Sequence, residues 1–198
     1  MLVGDSEIPL IRFNDAKVDA EGRIWTGSTD DLEVNPTGWL YRIDADWSFS
    51  KWDGPYKVPN GPAITNDGGT LYHVDSLGRR IYAFDKNDDG SLSNRRLFLK
   101  NQSSDGYPDG LMVDHENAIW LAYWGGSRIT RFLPDGTIDG ILEIPVPQVT
   151  SCTFGGPDRN LLFITTASRD LDLKKFPLAG GVFCKKTSVT GRASPRFK

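Results

Sequence analysis

The sequence predicts an all-β fold, a β-propeller of four-stranded antiparallel blades with about four blades present. Three observations carry that reading. A unit of about 45 residues returns four times, each unit holds a series of short segments rich in β-branched and aromatic residues, and Gly-containing turns punctuate the units in phase. No stretch of a dozen residues sustains a 3.6-residue apolar period, so helices are not expected.

The units begin at NDAKVDAEGRIWTGST from Asn14, NGPAITNDGGTLYHVDS from Asn60, the segment DGLMVDHENAIWLAYWG from Asp109, and SCTFGGPDRNLLFITTAS from Ser151, at intervals of 46, 49 and 42 residues. Each opens on a small or polar residue, runs through a short apolar strand to a turn, and continues into a longer apolar strand. Third strands follow at GWLYRID, RRIYAFDK, SRITRFLP and GGVFCKK, and the first three units add a fourth at WSFSKW, RRLFLK and ILEIP. Turns at Glu21-Gly22, Asp67-Gly68-Gly69, Asp89-Gly90 and Asp135-Gly136 supply the positive-φ residues that hairpins need. The expected organisation is one propeller domain over residues 1–198, with blades at about 14–59, 60–108, 109–150 and 151–198. Four such units use nearly the whole chain. They form either a closed four-bladed monomer or an open toroid, and an open toroid is expected to pair as a homo-oligomer, most simply a dimer.

Composition narrows the function. The 23 Lys and Arg against 26 Asp and Glu give a net charge of −3, which argues against a nucleic-acid partner. No run of 18 apolar residues marks a membrane helix, and MLVGDSEIPL lacks the basic and apolar regions of a secretory leader. Two cysteines cannot build a disulfide framework, so the chain reads as cytoplasmic. Cys152 and Cys184 both read as buried, inert thiols on apolar strands, and His73 and His115 as structural. The run Asp85, Asn87, Asp89, Gly90 copies half of an EF-hand loop, but Arg96 stands where a bidentate Glu is required, so a hairpin turn is expected.

The blade-opening residues Asn14, Asn60, Asp109 and Ser151 hold equivalent repeat positions. In a propeller such positions cluster at one end of the central channel, here gathering amide, carboxylate and hydroxyl oxygens. Oxygen donors suit a hard cation, Ca²⁺ first, with Mg²⁺, Zn²⁺ or Mn²⁺ as alternatives.

RFNDAKVDAEGRIWTG, NGPAITNDGGTLYHVDS, PDGLMVDHENAIWLA and TSCTFGG together resemble the SMP-30/gluconolactonase/luciferin-regenerating-enzyme (regucalcin-like) family, from about Arg12 to the C-terminal GRASPRF. The resemblance implies a six-bladed plan of which this chain lacks a region of about two blades. It implies a divalent cation at the axis and hydrolysis of sugar lactones. It casts Asn60 and Asp109 as metal ligands, Asp109 also as general acid/base, and Arg12 and Asn14 as substrate contacts. The family's glutamate ligand, in a GEGP-like motif, has no counterpart here; Glu7 does not correspond to it. Glu33 stands near the place of an acidic sugar contact, with no role carried across. The activity expected is divalent-metal-dependent hydrolysis of a small-molecule sugar lactone. The alternatives are a non-catalytic propeller module that binds a ligand or another chain, and phosphotriester hydrolysis on a similar cage.

Overall fold

The computed structural model describes residues 11–198. The readings placed on MLVGDSEIPL, including Glu7 and the absence of a leader, lie outside the described residues. The first sheet joins β1 (Ile11–Val18), β2 (Ile24–Asp30), β3 (Gly38–Ile43) and β4 (Phe49–Tyr56). The second joins β5 (Pro59–Ile64), β6 (Thr70–Asp75), β7 (Arg80–Lys86) and β8 (Leu92–Lys100), and the third β9 (Tyr107–Val113), β10 (Ile119–Trp124), β11 (Arg128–Phe132) and β12 (Ile138–Glu143). The fourth has three strands, β13 (Val149–Gly155), β14 (Leu161–Thr166) and β15 (Val182–Lys186). Within every sheet the strands pair antiparallel in chain order. The four sheets are propeller blades. A single 3₁₀ turn, Ser103–Asp105, is the one helical element among the described residues.

The first strands of the blades touch in succession, β1 against β5, β5 against β9 and β9 against β13, and so line the channel. Each gap between blades is a separate apolar core. Trp25, Leu40, Ile64 and Leu71 fill the first, Val74, Leu111, Leu121 and Tyr123 the second, and Trp120, Ile129, Val149 and Leu162 the third. Burial of this kind contributes roughly 1.5–3 kcal/mol per large side chain.

The first hairpin of a blade is closed by a buried carboxylate. Asp19 accepts from the Arg23 backbone N–H (2.9 Å) and from Trp25 Nε1 (3.0 Å). Asp114 does the same for the Ala118 N–H (3.0 Å) and Trp120 Nε1 (2.9 Å), and also pairs with Arg131 (2.8 Å). The second blade substitutes Thr65, whose Oγ1 accepts from the Thr70 N–H (2.9 Å). At this turn end a C-terminal strap of residues 190–198 crosses the blades. The Thr190 carbonyl accepts from the His115 N–H, the Gly191 N–H donates to the Arg159 carbonyl, the Lys198 N–H donates to the Gly22 carbonyl, and Phe197 packs on Trp47 at 5.1 Å.

The Asp85 segment is a hairpin between β7 and β8, with its carboxylate taken by Arg96 (2.6 Å) and Asn94 (3.0 Å). Cys152 is buried, and burial pushes its thiol up to about 12. Cys184 departs from expectation. It is exposed, because β15 is the outer strand of a blade with no fourth strand over it. His73 is fully buried against Tyr56 (5.1 Å between rings), and neither ring nitrogen has a partner among the described residues.

Candidate functional site

All four innermost strands carry the same irregularity. One extra residue interrupts the pairing between Phe13 and Ala16 on β1, between Asn60 and Ala63 on β5, between Pro108 and Leu111 on β9, and between Val149 and Ser151 on β13. Such bulges bend a strand and re-aim its side chains, and they recur beside active sites. Here they sit in phase, toward the start of each strand, so Asn14, Asn60, Asp109 and Ser151 lie at the same end of the channel.

Two glycines make this approach geometrically feasible. Gly61, next to Asn60, has φ +71°, a left-handed conformation that costs any residue with a Cβ. Gly110, next to Asp109, faces the neighbouring blade so closely that a Cβ would collide with Ser151 Oγ and lie 2.8 Å from the Thr150 carbonyl oxygen. The NG and DG pairs of the sequence are therefore requirements of the bulges.

Hydrogen bonds join the blades across this end. Asn14 Nδ2 donates to Asn60 Oδ1 (2.7 Å) and to the Pro59 carbonyl (2.8 Å). Asn60 Nδ2 donates to Ser76 Oγ (2.8 Å), which fixes its amide so that the oxygen faces Asn14. Arg12 is held from three sides. Its Nη1 donates to Asn14 Oδ1 (3.1 Å), its Nη2 to Glu33 Oε1 (3.0 Å), and its Nε lies 3.2 Å from Asp31. The structure thus unites Arg12, Asn14 and Asn60 directly, and sets Asp109 in the adjacent strand. Ser151 packs beside Asp109 through Gly110, and no side-chain hydrogen bond ties it to Asn14 or Asn60.

Asp109 is electrostatically uncomfortable. Burial first, and then the negative charges of Asp15 and Glu33, push its pKa up to about 8 against the help of one backbone N–H from Gly110. Burial also raises Asp15, although Lys17 and the N–H groups of Ala16 and Gly61 oppose the shift. Three acids therefore crowd one end of the channel; Arg12 is locked to Glu33, Lys17 acts on Asp15, and no cation offsets Asp109 among the described residues. Asp15 and Glu33 were not assigned from sequence. Strand alternation sends neighbours Asn14 and Asp15 to opposite faces, and only the bulge changes that. Glu33 lies 21 residues from Arg12 on a loop whose path no repeat specifies.

The donor set suits a hard cation. Asn60 and Asp109 present oxygen only, and the excess negative charge around Asp109 is what a divalent ion would offset. Among the described residues there is no cluster of three or more His, Cys, Asp or Glu side chains arranged for a metal.

Comparison with known proteins gives this arrangement a context. Residues 2–168 match the model of the SMP-30/Gluconolactonase/LRE-like region. The chain belongs to that family. It is 36% identical over 190 residues to regucalcin of Xenopus laevis, covering 90% of this chain and 63% of the relative. It is 33% identical to the 6-deoxy-6-sulfogluconolactonase of Pseudomonas putida, covering 94% and 65%. Among solved structures, a calcium-binding regucalcin from Agrobacterium tumefaciens superposes with a TM-score of 0.92 at 28% identity, over 98% of this chain and 67% of that one. The chain therefore spans about two thirds of the length of the curated relatives it matches, 63% of the Xenopus laevis regucalcin. In this chain of the SMP-30/gluconolactonase-like family, the in-phase bulges explain why RFND, NG and PDG stand at blade-start positions.

Proposed function

We propose that this chain hydrolyses sugar lactones, and that Asn60 and Asp109 hold a divalent cation, Ca²⁺ before Mg²⁺, Zn²⁺ or Mn²⁺. The observation that carries the reading is the set of in-phase bulges that bring Arg12, Asn14, Asn60 and the strained carboxylate of Asp109 to one end of the channel. The 6-deoxy-6-sulfogluconolactonase among its relatives supports the substrate class.

Asp109 accepts the proton of the water that attacks the lactone carbonyl and returns it to the ring oxygen as the C–O bond breaks. Burial and its acidic neighbours push Asp109 up to about 8, so without a cation it is mostly protonated at neutral pH, and the positive charge of a divalent ion held there would return it to the ionised form that accepts a proton. Arg12, clamped by Glu33, Asp31 and Asn14, and Asn14 itself hold the sugar hydroxyls, so the ring arrives oriented. A cation bound there would supply Lewis-acid polarisation of the carbonyl.

We also infer a homodimer in the cytoplasm. Phe13 and Phe49 are exposed around Tyr41 on one flank of the first blade, and Leu178 and Val182 are exposed on the fourth. Among the described residues no helix is long and apolar enough to cross a membrane.

The test is a pH-indicator assay with gluconolactone on chelated protein, repeated after adding each divalent cation, with the solution mass measured on the same sample. Cation-dependent acid release is expected. Absence of turnover with every cation would move the protein to the non-catalytic binding reading.

A further inference from the structure

The channel has a second chamber at its other end. Two to four residues along the innermost strands from Asn14, Asn60, Asp109 and Ser151, or roughly 7–13 Å at the usual strand rise, a recess of about 320 Å³ lies between the strand ends and the C-terminal strap. That volume is at the lower end of the range used for small-molecule sites. The recess is walled by aliphatic groups such as Val18 and Ile64, and its polar groups are Lys17, Thr153, Arg192 and Ser194. No carboxylate lines it. This reverses the other end, where Asp15, Glu33 and Asp109 crowd together.

Neither Lys17 nor Arg192 makes an ion pair among the described residues, and the acid that feels the charge of Lys17 is Asp15, two residues back on β1. Arg192 reaches only backbone oxygens, those of Thr65 (3.4 Å) and Asn66 (3.3 Å), both long contacts. The acid that feels its charge is Asp67, and that carboxylate is already engaged by Thr65 Oγ1 (2.6 Å) and the Gly69 N–H (3.0 Å). The strap that carries Arg192 is pinned at both ends, by Gly191 to Arg159 and by Lys198 to Gly22, so the guanidinium is delivered to the recess by ordered backbone.

We propose that this recess is a second binding site, separate from the Asp109 end, for a small monocarboxylate with an apolar body. The carboxylate sits between Lys17 and Arg192, with Thr153 and Ser194 as hydroxyl donors, and the hydrocarbon lies on the aliphatic strand ends. Two half-buried cations in a wall of alkyl groups favour an anion over a neutral molecule of the same shape, because a charge-assisted contact is about twice as strong as a neutral one. The apolar wall in turn disfavours a fully hydrated inorganic anion.

The inference does not rest on the lactonase reading, and its test keeps the two apart. Hexanoate and 1-hexanol are titrated into the whole protein by calorimetry. Saturable hexanoate binding is expected, with hexanol at least roughly tenfold weaker, the scale of one lost charged contact. Lys17→Gln and Arg192→Gln should each weaken hexanoate by about tenfold, while Asp109→Asn leaves it unchanged. The hexanoate-to-hexanol ratio in the unaltered protein needs no variant and guards against a substitution that fails to fold. No saturable binding up to roughly 10 mM hexanoate, beyond the millimolar end of the affinity scale, would overturn the proposal. So would hexanol binding as tightly, hexanoate binding unchanged in both Gln variants, or hexanoate binding lost in Asp109→Asn.

Discussion

Asp109 and Asp114 stand five residues apart on and just beyond β9, and their surroundings are opposites. Asp114 is fully buried, yet it meets the N–H groups of Glu116 and Ala118, the indole of Trp120 and the guanidinium of Arg131. Its counterpart Asp19 is treated alike. Burial would raise it, but Trp25 and Arg23 more than offset that and hold its carboxyl below the usual range. Asp109 receives one backbone N–H and faces two other acids. The same residue type, five residues apart, is used once to finish a turn and once to concentrate charge. A carboxylate ringed by donors stabilises the fold, whereas one left short of donors retains free energy that a cation or a proton can release.

That contrast can be broken most decisively at Asp109. Asp109→Asn should lower the proposed lactone hydrolysis by roughly 10²–10⁴-fold, the usual loss on removing a general base. Its melting temperature should hold or rise, since neutralising the group removes repulsion from Asp15 and Glu33. Full activity in this variant would remove Asp109 from the mechanism.

The complementary substitution, Asp114→Asn, should act on stability alone. It leaves the buried Arg131 without its buried partner, a loss of about 3 kcal/mol, at the low end because Glu116 and Asp139 still contact that guanidinium. Urea unfolding measures it, and activity per folded molecule should stay near that of the parent protein. A stable Asp114→Asn with depressed turnover would invert the comparison.

His73 is a buried titratable group whose ring nitrogens have no hydrogen-bond partner among the described residues. Burial lowers its pKa to about 4 from the ordinary 6.5. The unfolded chain therefore takes up a proton below pH 6.5 that the native protein refuses. Stability should be complete above about pH 6.5 and fall as pH drops toward 4, by about 3 kcal/mol from this group. His73→Leu should flatten the stability profile over that window, and an unchanged slope would show that other groups govern it.

The smallest effect expected is at the bulge itself. Gly110→Ala forces a methyl into Ser151 and the Thr150 carbonyl, costing roughly 1–3 kcal/mol of stability by overpacking. It should also displace Asp109, so the proposed turnover should fall while the Asp114 hairpin contacts stay in place. A Gly110→Ala protein with parental stability and turnover would show that the close approach of β9 and β13 is dispensable.

The fold was legible because a propeller blade is a local object. Each strand contacts its chain neighbours, so the 46-, 49- and 42-residue intervals, the alternation and the Gly turns carry almost all the information. The exposure of Cys184 escaped that logic, since its strand has the same apolar pattern as buried ones and only the missing fourth strand uncovers it.

By itself, the sequence determined the blades, the common end of the channel shared by Asn14, Asn60, Asp109 and Ser151, and the family. Each of these follows from the phase of a repeat, which is a property of spacing along the chain. Tertiary structure alone decided that Asp15 and Glu33 bear on Asp109, that Arg12 is clamped by Glu33, and that the C-terminal strap closes a cationic recess at the other end. Those relations arise from one-residue bulges and from contacts between segments far apart in the chain, such as Arg192 with Thr65 at 127 positions. Neither leaves a period in the sequence, because the energy of a like-charge pair or a stray cation depends on distance through space and on the water excluded between the groups.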